Sequence, residues 1–299
     1  MKRAKNGAGS GGRNMKRLAK MFAKARGAAF MPYVCCGDPS AGFTVKLVKT
    51  LAENGADAIE LGIPFSDPIA DGKTIQAASQ RALAGGMTPK KALGAISRLR
   101  REGVSVPIIA MTYYNIIYAA DVEKFAAALK AAGADGLIVP DVPIDESGEL
   151  GAACRKAGID LVFLVTPNCT DARLRRISKK AHGFLYAVSV LGITGVRKRV
   201  SDGAIKLVKR AKKISSLPVC VGFGISTPLH ARTLAKAGAD GVIVGSHLVN
   251  VYAAFLKGRV LDEKKALAAA ATYAKAMKAA CFVTSGYKHY QAEKRKSVV

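Results

Sequence analysis

A glutamate at the end of a short apolar run is the residue best suited to acid–base chemistry in this sequence. Glu60 lies between Ile59 and Leu61, directly before Gly62 and a proline-rich loop. Side chains alternate along a strand, so Glu60 points into a barrel if Ile59 and Leu61 face a layer of helices. Partial burial would raise its pKa and let the carboxyl carry protons near neutrality. The alternative is a structural role, in which a buried lysine or arginine pairs with Glu60.

Two aspartates in the loop after Gly62 are candidates to assist that glutamate. Asp67 and Asp71 lie among prolines and a glycine, and either carboxylate could accept a hydrogen bond from a substrate N–H. Acidic residues in such loops also cap helices, and a helix is expected to start near Thr74. Spacing alone does not choose between the two aspartates, or between binding and capping.

Three glycine-containing segments in the last third of the chain are suited to bind an anion. They are Gly192–Gly195, Gly222–Ser226 and Gly245–Ser246, and each follows an apolar run. Backbone N–H groups at glycines approach a phosphate closely, and the N-terminus of a helix adds its dipole. Together they predict a phosphorylated ligand; turn glycines with no ligand role are the alternative. The glycine pattern of dinucleotide-binding folds and the P-loop are both absent from the sequence.

Eight short apolar runs, each followed by a longer amphipathic stretch, must position these residues. Runs that are apolar on both faces and alternate with helices indicate parallel strands, and eight such units close a barrel. We therefore predict an α/β fold, a single (β/α)8 TIM barrel with extra short helices, with chemistry at the carboxyl ends of the strands. A doubly wound open sheet is the alternative. The predicted strands are Phe30–Cys35, Ala58–Gly62, Ile108–Met111, Gly136–Val139, Leu161–Val165, Phe184–Val188, Val219–Gly222 and Val242–Gly245.

A short repeat indicates the opposite end of this barrel. The segments Asn54–Ala58, Ala132–Gly136 and Ala237–Gly241 each place Gly-Ala-Asp between a helical stretch and a strand. The glycine is suited to end the helix in the left-handed conformation, so these repeats are predicted to be scaffold. The barrel is expected to span residues 15–287, between a flexible basic N-terminal extension at residues 1–14 and a basic C-terminal tail at residues 288–299.

The net charge of +26 limits the class of partner. Residues 172–213 alone hold thirteen lysines and arginines against the single acid Asp202. Such charge favours an anionic partner, whether a phosphorylated metabolite, a nucleic acid or an anionic membrane, or it forms an ordinary solvated surface. Nucleic acid is disfavoured because the basic segments lack interleaved aromatic residues for base stacking.

Other features of the composition restrict location and metal chemistry. No run of twenty apolar residues suggests a membrane span, and no secretory signal is evident, so a cytoplasmic enzyme is predicted. The alternative is an organelle-targeting peptide in the basic N-terminus, which contains no acidic residue. The six cysteines show neither metal-site spacing nor a secretory disulfide pattern, so they are expected to be packed, reduced thiols, and no metal site is expected.

Several segments, in order along the chain, carry a family resemblance. From about residue 15 to residue 285 the sequence resembles the tryptophan synthase α subunit, and the block Glu60–Pro68 followed by Ala70–Gly72 is its most specific part. The matching segments are Pro32-Tyr33, Gly37–Pro39, Glu60–Pro68, Ala70–Gly72, Thr74–Gln76, Gly222–Ser226 and Gly245-Ser246.

The resemblance implies a lyase that splits indole-3-glycerol phosphate into indole and D-glyceraldehyde 3-phosphate in tryptophan biosynthesis. It makes Glu60 the acid and base that protonates indole C3 and acts on the glycerol hydroxyl, and Asp71 the group that stabilises the indole N–H. A retro-aldol cleavage needs both roles, because the ring must become an electron sink. The implied substrate-binding residues are Tyr186 near the catalytic carboxylate, Thr194 in a mobile closing loop, and the phosphate-binding positions Gly195, Phe223, Gly224, Gly245 and Ser246.

The resemblance also implies which cofactors and which partner protein are expected. The reaction needs neither a metal nor an organic cofactor, whereas a β-subunit partner carries pyridoxal phosphate and converts indole and serine to tryptophan. An α–β–β–α heterotetramer is expected, with Pro64, Asp67 and Asn115 at the interface.

The sequence departs from the family pattern at Cys35-Cys36, in the basic triplet Arg197-Lys198-Arg199 and in the extension before Met15. Two other functions stay open. One is another phosphate-binding barrel enzyme of the same pathway, which predicts a lysine at a strand end. The other is a non-enzymatic, basic barrel that binds nucleic acid.

Overall fold

Eight parallel strands close into a barrel in the computed structural model, which describes residues 15–188, 200–258 and 260–282. The strands are β1 Ala29–Cys35, β2 Ile59–Gly62, β3 Ile108–Met111, β4 Gly136–Ile138, β5 Asp160–Val165, β6 Leu185–Val188, β7 Val219–Gly222 and β8 Gly241–Val244. Each strand pairs with the next along the chain, and β8 returns to pair with β1. The predicted (β/α)8 barrel is confirmed, and the doubly wound sheet is wrong.

Helices cover the outside of this barrel. Within the described ranges they are α1 Arg17–Lys24, α2 Ala41–Glu53, α3 Lys73–Ala84, α4 Pro89–Arg101, α5 Tyr114–Ala119, α6 Val122–Ala132, α7 Gly148–Ala157, α8 Asp171–Lys180, α9 Asp202–Ile214, α10 Pro228–Lys236, α11 Ser246–Ala253 and α12 Glu263–Cys281. Between α11 and α12 the short strands β9 Leu256–Lys257 and β10 Val260–Leu261 form an antiparallel pair.

The side chains of the strands alternate between two cores. The strands are buried almost throughout, because helices cover their outer side and the other strands cover their inner side. Ile59 and Leu61 pack in the outer core between barrel and helices, whereas Met31 and Ile243 fill the barrel interior. This is the alternation that the sequence predicts for β2, and it leaves Glu60 on the inner side.

Helix α1 closes the N-terminal end of the barrel. Leu18 and Phe22 are buried in the barrel interior, where the ring of Phe22 meets that of Phe184 edge to face at a centroid distance of 6.1 Å. Two ion pairs fix the start of the helix, Lys16–Asp160 and Arg17–Asp135. Because this end is plugged, a small molecule has to enter from the carboxyl ends of the strands.

The Gly-Ala-Asp repeat has one structural role on the plugged side. In each copy the glycine has a positive φ, and the aspartate accepts a hydrogen bond from a backbone N–H at the start of the preceding strand while pairing with a cation. The three sets are Asp57 with Phe30 N–H and Lys278, Asp135 with Ile108 N–H and Arg100, and Asp240 with Val219 N–H and Lys212. The prediction that these repeats are scaffold is confirmed.

The six cysteines are buried free thiols, as predicted. No helix in the described ranges is long and apolar enough to cross a bilayer. The same ranges contain no group of three or more His, Cys, Asp or Glu side chains placed to hold a metal ion.

Element boundaries agree with the sequence prediction to within one or two residues. Strand β8 begins at Gly241 and ends at Val244, because Gly245 is already the N-cap of α11. The barrel closes with α12, which ends at Cys281. Residues 1–14 and 288–299, predicted to be a flexible extension and a flexible tail, lie outside the described residues, as does the basic triplet at 197–199.

Candidate active site

A cavity opens at the carboxyl ends of the strands, where the sequence places the chemistry. It contains about 530 Å³ of empty space, including solvent at its mouth. Its wall combines the two predicted carboxylates with the predicted glycine segments after β7 and β8. The lining residues are Tyr33, Glu60, Asp71, Ile75, Met111, Tyr186, Phe223, Gly224, Ile225, Ile243, Gly245, Ser246 and His247.

Glu60 lies on the inner wall of this cavity and is 1% exposed. Burial, and secondly the negative charge of Asp71, raise the pKa of Glu60 to about 8. Its Oε2 atom has no hydrogen-bond partner among the described residues, and none of their lysines or arginines is within ion-pair distance. Glu60 therefore does not form a buried ion pair with a lysine or arginine of the described residues, which was the structural alternative. A carboxyl that holds its proton near neutrality can both donate and accept one.

Asp71 lines the same cavity and is 9% exposed. Burial raises the pKa of its carboxyl to about 6, while a hydrogen bond from the hydroxyl of Tyr113 opposes that rise. The same hydroxyl accepts a hydrogen bond from the backbone N–H of Ala70 at 3.0 Å, so Tyr113 contacts two successive residues of the loop, Ala70 and Asp71. Asp71 is ionised over more of the neutral range than Glu60, which suits a partner for positive charge on a ligand.

The structure resolves the two alternatives that spacing left open for this loop. Helix α3 starts at Lys73 with Gly72 as its N-cap and has no side-chain cap, so capping is not the role of Asp71. Asp67 is exposed and accepts a hydrogen bond from the hydroxyl of Ser66. Only Asp71 of the two aspartates reaches the cavity.

Two tyrosines occupy the space left by glycines at strand ends. A Cβ atom added at Gly62 would lie 2.1 Å from the phenol oxygen of Tyr33, and one added at Gly222 would lie 2.1 Å from that of Tyr186. Tyr33 is the register partner of Glu60 in the β1–β2 pair. Both phenols are buried, which raises their pKa well above the ordinary value, so they are neutral groups beside the carboxylates.

The other end of the cavity has backbone features that favour an anion. Phe223 and Gly224 both have positive φ, of 70° and 72°, directly after β7, and Phe223 packs edge to face on Tyr186 at 6.0 Å. Such a conformation is costly for phenylalanine and is found mainly where a site requires it. After β8, Gly245 and Ser246 begin α11, whose first turn carries no acidic residue and no side-chain cap. Its unpaired N–H groups and dipole favour a phosphate.

Two polar networks support this anion end from outside. Asp38 is fully buried and binds the Arg81 guanidinium through two hydrogen bonds of 2.7 and 2.8 Å, and it accepts a third from the Tyr252 hydroxyl at 2.5 Å. This network joins the loop after β1 to α3 and α11, so Asp38 is a scaffold residue and not part of the cavity. In the second network the Tyr273 hydroxyl donates to the carbonyl of Ser226 at 3.1 Å.

The residues predicted for a protein interface lie in the segments that follow the carboxyl ends of β2 and β3. Asp67 and Asn115 are exposed, whereas Pro64 is buried within the chain. The rings of Phe65 and Tyr113 stack at 5.3 Å, which holds the loop after β2 against the start of α5. Thr194 and Gly195, predicted to bind substrate, lie outside the described residues.

Tyr33, Tyr113 and His247 belong to the site although sequence reasoning did not select them. Tyr33 could have been found, because it has the same inward register as Met31 in the first strand. No comparable signal marks Tyr113, which reaches Asp71 from a different strand end. His247 follows Ser246 and could have been found as the next residue of the predicted anion site.

Comparisons with known proteins agree on one family. A family model described as "Tryptophan synthase alpha chain" matches residues 18–281. The chain is 47% identical to the tryptophan synthase alpha chain of Methanothermobacter thermautotrophicus over 84% of this chain and 93% of that protein. It is 50% identical to that of Methanosarcina acetivorans over 75% of this chain and 80% of that protein.

Solved structures give the same result. A structure of Mycobacterium tuberculosis tryptophan synthase superposes with a TM-score of 0.81 at 35% identity, covering 90% of this chain and 99% of that chain. The tryptophan synthase a2b2 complex of Pyrococcus furiosus superposes with a TM-score of 0.77 at 42% identity, covering 84% and 98%.

Proposed function

Because the chain belongs to the tryptophan synthase alpha chain family, we propose that its cavity performs the family reaction with Glu60 as proton carrier and Asp71 as partner of the indole N–H. The chain is a lyase that cleaves indole-3-glycerol phosphate to indole and glyceraldehyde 3-phosphate in tryptophan biosynthesis. The comparisons support neither of the two alternative functions. The assignment of Glu60 as proton carrier rests on one observation. Glu60 is buried, its Oε2 atom lacks a hydrogen-bond partner in the described part of the chain, and it lines the cavity together with Asp71.

A single carboxyl can serve both proton transfers of this cleavage. Protonated Glu60 gives its proton to indole C3, so the ring becomes an indoleninium that can accept the electron pair of the breaking carbon–carbon bond. The carboxylate left behind then takes the proton of the glycerol hydroxyl as the aldehyde forms. No net proton is consumed, so Glu60 returns to its starting state after each turnover. A pKa of about 8 keeps most of this residue protonated at neutral pH.

Asp71 stabilises the charge that appears on the ring. When C3 is protonated, positive charge develops at the indole nitrogen, and an ionised, largely buried carboxylate stabilises that charge strongly. Tyr113 holds the carboxylate in place, and Tyr186 and Phe223 pack against each other on the same wall.

The phosphate of the substrate is proposed to bind at the anion end. The backbone of Phe223, Gly224, Gly245 and Ser246 supplies N–H groups there, and the N-terminus of α11 supplies a favourable dipole. Thr194 and Gly195 remain predictions for the same ligand.

The partner of the chain is a tryptophan synthase beta subunit, to which pyridoxal phosphate belongs, and the α-subunit reaction itself needs no cofactor. We propose an α–β–β–α heterotetramer.

The proposed interface of this chain with the beta subunit is the surface formed by Asp67, Ile69, Asn115 and Tyr118, named here the rim patch. Ile69 is 83% and Tyr118 68% exposed, which is unusual for large apolar side chains and indicates a covered surface in the assembly. Pro64 would act there by shaping the loop. A cytoplasmic location remains a prediction.

Release of indole from indole-3-glycerol phosphate tests the proposed function. The purified chain should release indole slowly alone and faster with a beta subunit. Charged substitutions in the rim patch, Ile69→Asp with Tyr118→Asp, should abolish the stimulation and leave the unstimulated rate unchanged. The matched control is Leu229→Asp on α10, which is also an exposed apolar position. Absence of indole release with a beta subunit present would overturn the proposal.

A further inference from the structure

His247 lies between the cavity that contains Glu60 and a second groove. It is the second residue of α11, follows Ser246 of the anion end, and is half-buried. It lines the cavity that contains Glu60 and Asp71, and it also lines an apolar groove between α10, α11 and α12. His247 is therefore part of the wall at the anion end, in the same cavity as the buried, unpartnered Oε2 of Glu60.

The surroundings of His247 favour a neutral imidazole when the site is empty. Its ring packs against that of Tyr273 at a centroid distance of 5.0 Å. Burial, and secondly the charge of His230 on α10, lower its pKa from the ordinary value. A cation in the first turn of a helix is also disfavoured by the helix dipole.

We propose that His247 is a further binding residue for the substrate phosphate and takes up a proton when the dianion occupies the anion end. The inference rests on the proposed function, because it needs the phosphate at Gly224, Gly245 and Ser246. Coulomb attraction between a dianion and an imidazolium over about 6 Å, even with the screening of bulk water, is sufficient to raise an imidazole pKa by about one unit.

Linkage fixes the direction of the effect on binding. A ligand that raises the pKa of His247 must bind more tightly once the imidazole is protonated. The apparent affinity for a phosphorylated ligand should therefore rise as pH falls below the pKa of His247 in the complex. Neutral His247 at higher pH would instead favour release of a phosphorylated product.

Other titratable groups surround this histidine and must be separated from it. Glu60 and Asp71 share its cavity, and their pKa values lie in the same pH range. Arg81 of α3, the helix packed beside α11, is bound to Asp38. The groups on the other packed elements are Tyr33 of β1, His230 of α10, and Lys265 and Tyr273 of α12.

Nuclear magnetic resonance of histidine side chains labelled with carbon-13 observes the proton uptake directly. The chain has four histidines, and the signal missing from His247→Gln identifies the one at position 247. Titration of the wild-type protein between pH 5 and pH 9 should show the pKa of His247 about one unit higher when glycerol 3-phosphate saturates the site. An unchanged pKa, with the amide signals of Gly224 and Ser246 shifted by the ligand, would overturn the inference and leave the phosphate site intact. Amide signals that do not respond would instead contradict the proposed function.

Binding measurements give an independent test. The dissociation constant of His247→Gln for glycerol 3-phosphate, divided by that of the wild type, should rise from near one at pH 8 to severalfold at pH 6, towards the limit of about ten that a shift of one pKa unit sets at lower pH. Protonation of Glu60 and Asp71 affects both proteins alike and cancels to first order in this ratio, whereas protonation of the phosphate, whose second pKa is about 6, reduces its attraction to His247 and limits the rise at the lowest pH. The matched control is His182→Gln, at the plugged end of the barrel next to β6, which should follow the wild type. A ratio independent of pH would contradict the inference.

Discussion

At the scale of single residues, the two carboxylates of the cavity need opposite protonation states. Glu60 must hold a proton for indole C3, whereas Asp71 must be ionised to balance charge on the ring. Burial raises the pKa of Glu60 to about 8 and that of Asp71 to about 6. Between these values both conditions are met, so the site is arranged to work near neutral pH.

Cleavage by the isolated chain should therefore depend on pH with a bell shape whose limbs lie near pH 6 and pH 8. In Asp71→Asn the turnover should fall by about a hundredfold or more, because a neutral amide cannot balance the positive ring. The residual activity should lose its acidic limb. Its basic limb should move to lower pH, because the negative charge of Asp71 helps to raise the pKa of Glu60. Single-turnover rates across pH measure this, and identical limbs in both proteins would contradict the assignment of Asp71.

The buried carboxyl of Glu60 should also affect stability. Its folded-state pKa lies above its ordinary value of 4.5, so its contribution to stability is fully present below pH 4.5 and is lost as pH rises to about 8. The glutamine side chain of Glu60→Gln does not titrate. The free energy of unfolding of this variant at pH 8 should therefore exceed that of the wild type by about 2–4 kcal/mol. The two proteins should have similar stability at pH 4.5. Urea unfolding at both pH values tests this, and a difference independent of pH would contradict it.

The sequence was sufficient to predict that Glu60 points into the barrel, but it was not sufficient to predict which residues surround the two carboxylates. Period-two alternation placed its side chain inside the barrel, since Ile59 and Leu61 had to face the helices. The hydrogen bond between Tyr113 and Asp71 joins loops from different strands, and no local pattern predicts such a contact. For the same reason spacing could not choose between Asp67 and Asp71.

At the scale of elements, the barrel separates stability from chemistry. The aspartates of the Gly-Ala-Asp repeat bind strand N–H groups at the plugged end, whereas the loops at the other end hold the strained Phe223-Gly224 pair and the start of α11. The strands were predictable because each is apolar on both faces. The positive φ of Phe223 was not, since phenylalanine rarely adopts it and only the packing around the site enforces it.

Removing one of these aspartates should weaken the fold without changing the chemistry. Asp240 accepts a hydrogen bond from the Val219 N–H at 2.8 Å and pairs with Lys212, and both side chains of the pair are largely buried. Asp240→Ala removes the acceptor of the buried Val219 N–H and the carboxylate that pairs with Lys212, so the free energy of unfolding should fall by about 2–4 kcal/mol. The turnover number should stay unchanged at temperatures where the variant is folded.

The matched control for this experiment is Asp145→Ala. Asp145 pairs with Arg173 and Arg176, but all three side chains are substantially exposed. Its loss should cost less than about 1 kcal/mol. Chemical unfolding of the three proteins measures the difference, and equal stability of the two variants would show that the repeat is not a structural tie.

At the scale of the whole molecule, part of the positive charge has a structural use. Within the basic segment 172–213, Arg210 donates to the carbonyls of Pro167 and Cys169, and Lys212 is tied to Asp240. The composition predicted an anionic partner but could not separate charges that hold the fold from charges that act on a ligand. The basic triplet at 197–199 lies outside the described residues, so its role rests on the sequence.

We expect that triplet to attract the substrate. Replacing Arg197, Lys198 and Arg199 with glutamine should slow second-order capture of a non-cleavable phosphate analogue at low salt and leave the cleavage of bound substrate unchanged. The difference from the wild type should shrink as salt rises, since the Debye length is about 8 Å at physiological ionic strength. Stopped-flow association across a salt series measures this. Rates that are equal in both proteins and independent of salt would rule out electrostatic attraction by the triplet.

Glu60 is assigned both proton transfers of the cleavage, and a single-turnover measurement on Glu60→Gln decides whether it performs them. Glutamine has nearly the same volume, so the dissociation constant for glycerol 3-phosphate should stay close to that of the wild type. The rate of indole release from bound indole-3-glycerol phosphate should fall by at least about a hundredfold, because the general acid and base is missing. A variant that binds normally and releases indole at the wild-type rate would remove Glu60 from the mechanism.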